Sequence, residues 1–441
     1  MSISARILDT IGRRQHLRAV IALMLGTCAF IWRRLMFRTT FIAITGSVGK
    51  STATASLGAI LSAHSATNWI PGGRNNRFVI ARTILRTRFR HRFTVIEVGT
   101  RAPGQLRRAA WMIAPDIVVM LGVRNIHSDA FPTPEDMAAE KAQLLSRLGT
   151  RGAAILNAGD PLVLAMRTQC SGPVRTFGLS SGCFLTAGEV SSKWPRRLSF
   201  RVHCGEESSW VDTDLIGEHM VHAALGALAA AVFCGVPLAK AAACLGEVQP
   251  VPGRMQPMTL PNGVMVLRDD FNATLPTFEA ALAVLRDAGV SRRIVVAGDV
   301  LDTGLSVRGR ARLLGRLVAA AADMVVFVGE RSNLSAKAAI EAGLRRDAAF
   351  AFQGLPETAS FLKTELREGD LVLLKGWVGR HIERVILAQL GSLSCWVVRC
   401  PRLMPCETCP ELKLVSISAA GGEPGGGSLV RHLRDLSKTP S

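Results

Sequence analysis

The stretch ITGSVGKSTAT, residues 44–54, sets two glycines, a lysine and paired hydroxyls directly behind the apolar FIA and ahead of a run with helical character. Gly46 and Gly49 allow the backbone to turn its N–H groups inward onto an anion, and the helix that follows adds its positive end. Lys50 supplies a long cationic side chain for the outer phosphates, and Ser51 a hydroxyl for Mg2+. An ordinary strand-to-helix turn would also use Gly and Ser, but not this combination in this order. The segment therefore predicts strand, phosphate loop and helix, with a nucleoside triphosphate as ligand. Its spacing is shorter than the common Gly-x-x-x-x-Gly-Lys form, so the loop alone leaves the enzyme class open.

Strand-like runs FIAITG, FTVIEVG, DIVVMLGV and GAAILN alternate with helical ones and end in small or polar residues. That pattern predicts an α/β fold with a parallel sheet, helices on both faces and ligands gathered at the strand C-termini. A second series, VMVLRDD, RRIVVAGD, DMVVFVG and DLVLLKG, follows the Pro- and Gly-rich VQPVPGRMQP. The expected organisation is a basic and apolar helical segment over 1–38, a central P-loop parallel-sheet ATPase domain over 39–250, a smaller Rossmann-like domain over 251–392, and a Cys-containing, Gly-rich tail over 393–441.

The 441 residues, 48% hydrophobic and 20% charged, suffice for two or three packed domains. Residues 1–110 hold 18 Lys and Arg against only Asp9 and Glu97, so the front end carries most of the net charge of +19. Such a front end suits nucleotide phosphates, an anionic membrane surface or nucleic acid. The apolar AVIALMLGTCAFIW, residues 19–32, is bracketed by arginines; as a helix it spans about 21 Å, short of a ~30 Å hydrocarbon core. Snorkelling arginines could stretch it into a membrane anchor; otherwise it reads as a helix packed on the protein or lying at an interface. Ten scattered cysteines predict reduced thiols in a cytoplasmic protein. Cys395, Cys400, Cys406 and Cys409 crowd together, and Cys406-x-x-Cys409 has metal-ligand spacing, although free thiols in a loose tail fit as well.

Glu97 closes the strand FTVIEVG, well placed to hold Mg2+ beside the phosphate loop. In NIHSDAFPTPEDMAAEKAQLLSRL, His127 precedes Lys141 by fourteen residues. On periodicity alone these are a loop histidine and a solvated helix lysine.

Taken in order, these motifs resemble the Mur ligases, the ATP-dependent amide-bond-forming enzymes of peptidoglycan synthesis, and most closely their D-alanyl-D-alanine-adding branch. The resemblance covers roughly residues 40–390: ITGSVGKST, Asn75 and Asn76, EVGTRAPGQL, the His127 to Lys141 interval with Glu135 inside it, LNAGDP, GEHMVHAAL, PGRM, RDDFNA, VVAGDVLDTG and GDLVLLKG ending at Lys375. It implies ATP on Gly46, Ser47, Gly49, Lys50, Ser51, Thr52, Asp270 and Asn272, with Mg2+ on Ser51, Glu97, His127 and a carbamylated Lys141. Lys50, Lys141, His127 and Arg254 would carry catalysis, Arg254 meeting the γ-phosphate at the domain junction. The reaction implied is an ATP-dependent ligation of a carboxylate to an amine through an acyl phosphate, in cell-wall precursor synthesis, on small-molecule or peptide substrates.

Departures from the family pattern fall on its substrate side. Only some forty residues precede the loop where the family carries a UDP-sugar domain. Arg77 and Arg82 stand in RFVIAR, where the family has an acidic residue and Gly-x-Pro. Met220 and Ala223 replace two expected asparagines, and after Lys375 and Gly376 WVGR stands in place of Ser-Arg. A Mur-like ligase for another polymer, such as a membrane-associated poly-γ-glutamate synthetase, is the alternative. A nucleic-acid-binding P-loop ATPase is disfavoured by the absence of Tyr and only 5% aromatic residues. A non-catalytic nucleotide-binding relative is disfavoured by intact Lys50, Glu97, His127 and Lys141.

Overall fold

The structure, a computed structural model, describes residues 20–416 apart from 74, 150, 151 and 399. The first sheet contains β1 (Thr40–Thr45), β2 (Thr67–Trp69), β3 (Phe93–Glu97), β4 (Ile117–Met120), β5 (Ala153–Asn157), β6 (Val174–Gly178), β7 (Leu185–Ser191), β8 (Ser199–Cys204) and β9 (Glu207–Asp212), in the order β2-β3-β1-β4-β5-β6-β7-β8-β9. Pairing is parallel as far as β7 and antiparallel between β7, β8 and β9. β1 is buried on both faces because successive side chains alternate: Phe41 and Ala43 enter one core, Ile42 and Ile44 the other. Continuous apolar strands of this kind are stable only where helices cover both sides.

The second sheet is built from β10 (Gln256–Thr259), β11 (Met265–Asp269), β12 (Arg292–Ala297), β13 (Met324–Val328), β14 (Ala349–Phe352) and β15 (Asp370–Lys375), ordered β10-β11-β15-β12-β13-β14 and parallel except for β10. One apolar cluster runs from Ile42 and Leu57 of the first domain to Leu267, Phe278 and Val295 of the second, so the two share a packed junction. β16 (Gly391–Leu393) and β17 (Leu414–Ser416) form a small antiparallel pair, and Cys406 between them is buried. Residues 393–416 are thus built onto the second domain, which corrects the expectation of a loose tail there; 417–441 lie outside the described residues.

Residues 20–35 form α1, and its two faces differ. Ala22, Ala29 and Arg33 are buried, the last bonding the carbonyls of Ile113 and Ala114 at 2.7 and 2.8 Å and Asp116 at 2.9 Å. Trp32 donates to the Thr87 carbonyl, and Phe30 stacks on Trp111. The helix is therefore packed on the first domain. Its opposite stripe, Val20, Met24, Ile31 and Leu35, is exposed. Among the described residues no helix is long and apolar enough to cross a membrane.

Candidate active site

The ends of β1, β3, β4 and β5 open onto one cavity of about 1960 Å3, closed on its far side by the second domain. The turn after β1 leads into α2 (Lys50–His64), with Gly49 in the left-handed region at φ 82° as its N-cap. A side chain there would be strained, and its Cβ would meet Ala223 at 3.2 Å; at Gly46 a Cβ would come within 2.8 Å of Leu121. Glycine is required at both positions for the backbone to face the cavity. Ser47 anchors the loop: its N–H donates to the Gly122 carbonyl at 2.8 Å, and its hydroxyl accepts from the Arg124 N–H at 2.9 Å.

Lys50 folds back and donates to the carbonyls of Gly46 and Ser47 at 2.7 and 3.1 Å. Burial lowers its pKa to about 8, opposed by Glu97 and assisted by Arg254. Beside it, the Ser51 hydroxyl is buried without a partner. Glu97 accepts from Asn75 Nδ2 at 2.9 Å through one oxygen, and its other oxygen is buried without a hydrogen bond. Two orphaned hard oxygens next to a phosphate loop are the donor set Mg2+ prefers, so these residues fit that ion.

α3 (Arg77–Arg86) starts at Asn76, whose side chain caps the N–H groups of Phe78 and Val79. α4 (Gln105–Ile113) is capped by the Glu140 carboxylate, which accepts from Gly104 N and Leu106 N at 2.8 Å each. Glu140 lies on α5 (Pro134–Ala142), begun by a capping box between Thr133 and Asp136. With Glu140 so engaged, its neighbour Lys141 is 1% exposed, lines the cavity and has no carboxylate paired to it among the described residues. Burial, then the Lys50 charge, holds its pKa well below the usual lysine range. The solvated-helix reading from periodicity is thereby corrected. His127, left-handed at φ 59°, lines the same cavity and places Nδ1 3.0 Å from Asp302 Oδ2 of the second domain.

From the second domain, Arg254 lies over the Phe271 ring at 4.5 Å with a buried, unpartnered Nε. Burial lowers its pKa, against the pull of Asp269, Glu97 and Asp270. Asn272 also lines the cavity. Asp270 does not: its two oxygens accept from buried Arg268 at 3.2 and 3.0 Å, and the expected nucleotide contact is corrected accordingly. The reason is strand alternation. Arg268 and Asp270 share one side, whereas Asp269, between them, faces the cavity and pairs with Lys375 at 2.8 Å.

The structure thus brings Gly46, Ser47, Gly49, Lys50, Ser51, Thr52, Glu97, His127, Lys141, Arg254 and Asn272 to one cavity. Sequence reasoning did not assign Asp269, Asp302, the Asn75 contact to Glu97, or the Arg402–Met404 wall. Asp302 lies within the VVAGDVLDTG motif, but nothing local marks Arg402–Met404 as cavity residues.

A phosphate loop with orphaned cation donors, faced across a cleft by an arginine from a second parallel-sheet domain, defines a nucleotide-dependent enzyme that works at a domain junction. Residues 44–231 match the Mur ligase middle domain and 253–377 the Mur ligase, glutamate ligase domain, and the chain belongs to the Mur ligase family of ATP-dependent peptide ligases. It is 30% identical over 380 residues to the UDP-N-acetylmuramoyl-tripeptide–D-alanyl-D-alanine ligase of Mycobacterium tuberculosis (strain ATCC 25618 / H37Rv), covering 82% of this chain and 74% of that one. It is 28% identical to the ligase of the same name from Escherichia coli (strain K12), over 68% of this chain and 67% of that one. A crystal structure of MurF from Acinetobacter baumannii superposes with a TM-score of 0.76 at 26% identity, over 83% of this chain and 80% of that one.

Proposed function

We propose that this chain joins the terminal carboxylate of a UDP-muramoyl tripeptide to the amine of D-alanyl-D-alanine at the expense of ATP. The observation that carries the reading is Lys141, buried beside Lys50 at the mouth of a phosphate loop and, among the described residues, with no carboxylate paired to it. A buried lysine with a lowered pKa is held toward the neutral amine that reacts with CO2, and the carbamate so formed is an oxygen ligand.

Backbone N–H groups of Gly46–Thr52 and the Lys50 ammonium receive the phosphates. Ser51 and Glu97 would hold one Mg2+, and His127 with carbamylated Lys141 a second; their chemistry is to neutralise charge on the phosphates and the attacking carboxylate. A carboxylate oxygen attacks the γ-phosphorus, the bond to the bridging oxygen breaks, and ADP leaves. Arg254 and Lys50 balance charge on the transferring group. The amine then attacks the acyl carbon, phosphate departs with the bonding pair, and the nitrogen loses a proton. Arg77, Arg101, Arg107, Arg108 and Arg124 line the cavity and suit a substrate bearing several anionic groups. We place the reaction in the cytoplasm, as its need for ATP and the free state of all ten cysteines suggest.

Phosphate release measured with paired substrates tests the reading. Turnover requiring both UDP-muramoyl tripeptide and D-alanyl-D-alanine is expected; turnover with glutamate chains in their place would transfer the activity to another polymer.

A contact between α1 and an anionic membrane surface is a second reading. It is favoured by the exposed apolar stripe Val20, Met24, Ile31 and Leu35 within the most basic part of the chain.

A further inference from the structure

His381, Glu383 and Cys406 meet in the second domain, each no more than 2% exposed. The Cys406 sulfur lies 3.4 Å from His381 Nδ1, and that nitrogen lies 3.4 Å from Glu383 Oε1. Two ligands of a tetrahedral zinc ion stand about 3.4 to 3.6 Å apart for N–O and N–S pairs, given ordinary zinc bond lengths. Two edges of the cluster therefore have the lengths of a metal site, and its three ligand atoms all lie within 4.8 Å of one another. Hydrogen bonds satisfy the cluster only in part: Glu383 Oε1 accepts from the Cys406 N–H at 3.0 Å, while His381 Nε2 and Glu383 Oε2 are buried without partners. His381 is also left-handed, at φ 52°, a conformation that persists only where the surroundings impose it.

Charge points the same way. Arg268 pairs with both Asp270 and Glu407, and Arg384 donates to the Cys406 sulfur at 3.1 Å. These two cations and two carboxylates balance, and the Glu383 carboxylate faces the His381 ring, which offsets its charge only when protonated. A divalent cation bound to the Glu383 carboxylate and a Cys406 thiolate would neutralise the group, and the Arg384 N–H is the kind of outer donor that metal-bound thiolates receive.

We infer that His381, Glu383 and Cys406 bind a zinc-class cation that staples residues 393–416 onto the second domain. A sulfur, a ring nitrogen and a carboxylate form a set suited to zinc rather than magnesium. Binding forms a metal–sulfur bond and releases the Cys406 proton to solvent. The staple has a functional address: Arg402, Leu403 and Met404, just ahead of Cys406, line the reaction cavity. The sequence motif Cys406-x-x-Cys409 is not the ligand pair, since Cys409 stands outside the cluster and faces Arg402 at 3.7 Å.

Full-length, untagged protein is equilibrated with Zn2+, passed through gel filtration and assayed for metal; a parallel sample is titrated with Co2+ and its thiolate-to-cobalt absorption recorded. About one tightly held zinc per chain is expected, together with a cobalt band that Cys406→Ser removes and Cys409→Ser keeps. Protein that retains no zinc and develops no thiolate band overturns the proposal, leaving a His381–Glu383 ion pair beside a neutral thiol. A band removed by Cys409→Ser and kept by Cys406→Ser overturns it too. Should Cys406→Ser fail to fold, the parent chain decides alone: a chelator that lowers its thermal midpoint supports the staple, and an unmoved midpoint with no bound zinc rejects it.

Discussion

His127 Nδ1 stands 3.0 Å from Asp302 Oδ2, and this contact ties the loop after β4 of the first domain to the loop after β12 of the second. The cleft is closed at the point where the proposed second cation would bind. Holding the imidazole by Nδ1 leaves Nε2 as its ligand atom, the arrangement that orients metal-binding histidines. Asp302→Ala is expected to reduce kcat by about 10-fold to 100-fold while ATP binding changes little. Parallel turnover and nucleotide-binding measurements decide it; an unchanged kcat would make the contact incidental to catalysis.

Lys50 carries an opposite pair of consequences. Its folded pKa, about 8, lies below the 10.5 of an unperturbed lysine, so the folded chain binds its proton less tightly than the unfolded chain. The resulting penalty is complete below pH 8 and fades as pH rises toward 10.5, so nucleotide-free stability gains across that window. Lys50→Met is expected to abolish ATP turnover and flatten part of this slope in thermal unfolding between pH 7 and 10. Near-normal ADP formation by the variant would remove the loop from the mechanism.

Lys141 separates carbamate chemistry from simple attraction to phosphate. Lys141→Ala is expected to lower ligation by orders of magnitude, with partial recovery when a short carboxylic acid is supplied. Lys141→Arg keeps a positive charge but cannot be carbamylated, and is expected to be equally inactive. Amide formation by the arginine variant near the parent rate would end the carbamate role.

The α1 stripe is tested by vesicle flotation. Binding to anionic vesicles at low salt, weakened as salt rises and reduced by Met24→Glu with Ile31→Glu, is expected if the helix lies at a lipid surface. Sedimentation without lipid at every salt concentration would mean that the stripe has no membrane role.

Features that depend on neighbouring residues were legible in the sequence. Gly46, Gly49, Lys50 and Ser51 announce a phosphate loop because turn geometry and a helix N-terminus are properties of a few consecutive residues. The buried strands declared a parallel α/β fold through their unbroken apolar runs, and Glu97 could be placed at a strand end on the same basis. Burial and pairing were decided only by the tertiary structure, since both depend on what a distant segment brings. Lys141 has the sequence surroundings of a solvated lysine, and it became a cavity residue when α5 packed with Glu140 turned to cap α4. RDD does not reveal which aspartate meets the ligand; Arg268, buried against Glu407, 139 residues away, claims Asp270 and leaves Asp269 to the cavity. The same long-range packing sets Cys406 beside His381 instead of Cys409, because metal-site geometry follows the three-dimensional approach of side chains and not their spacing along the chain.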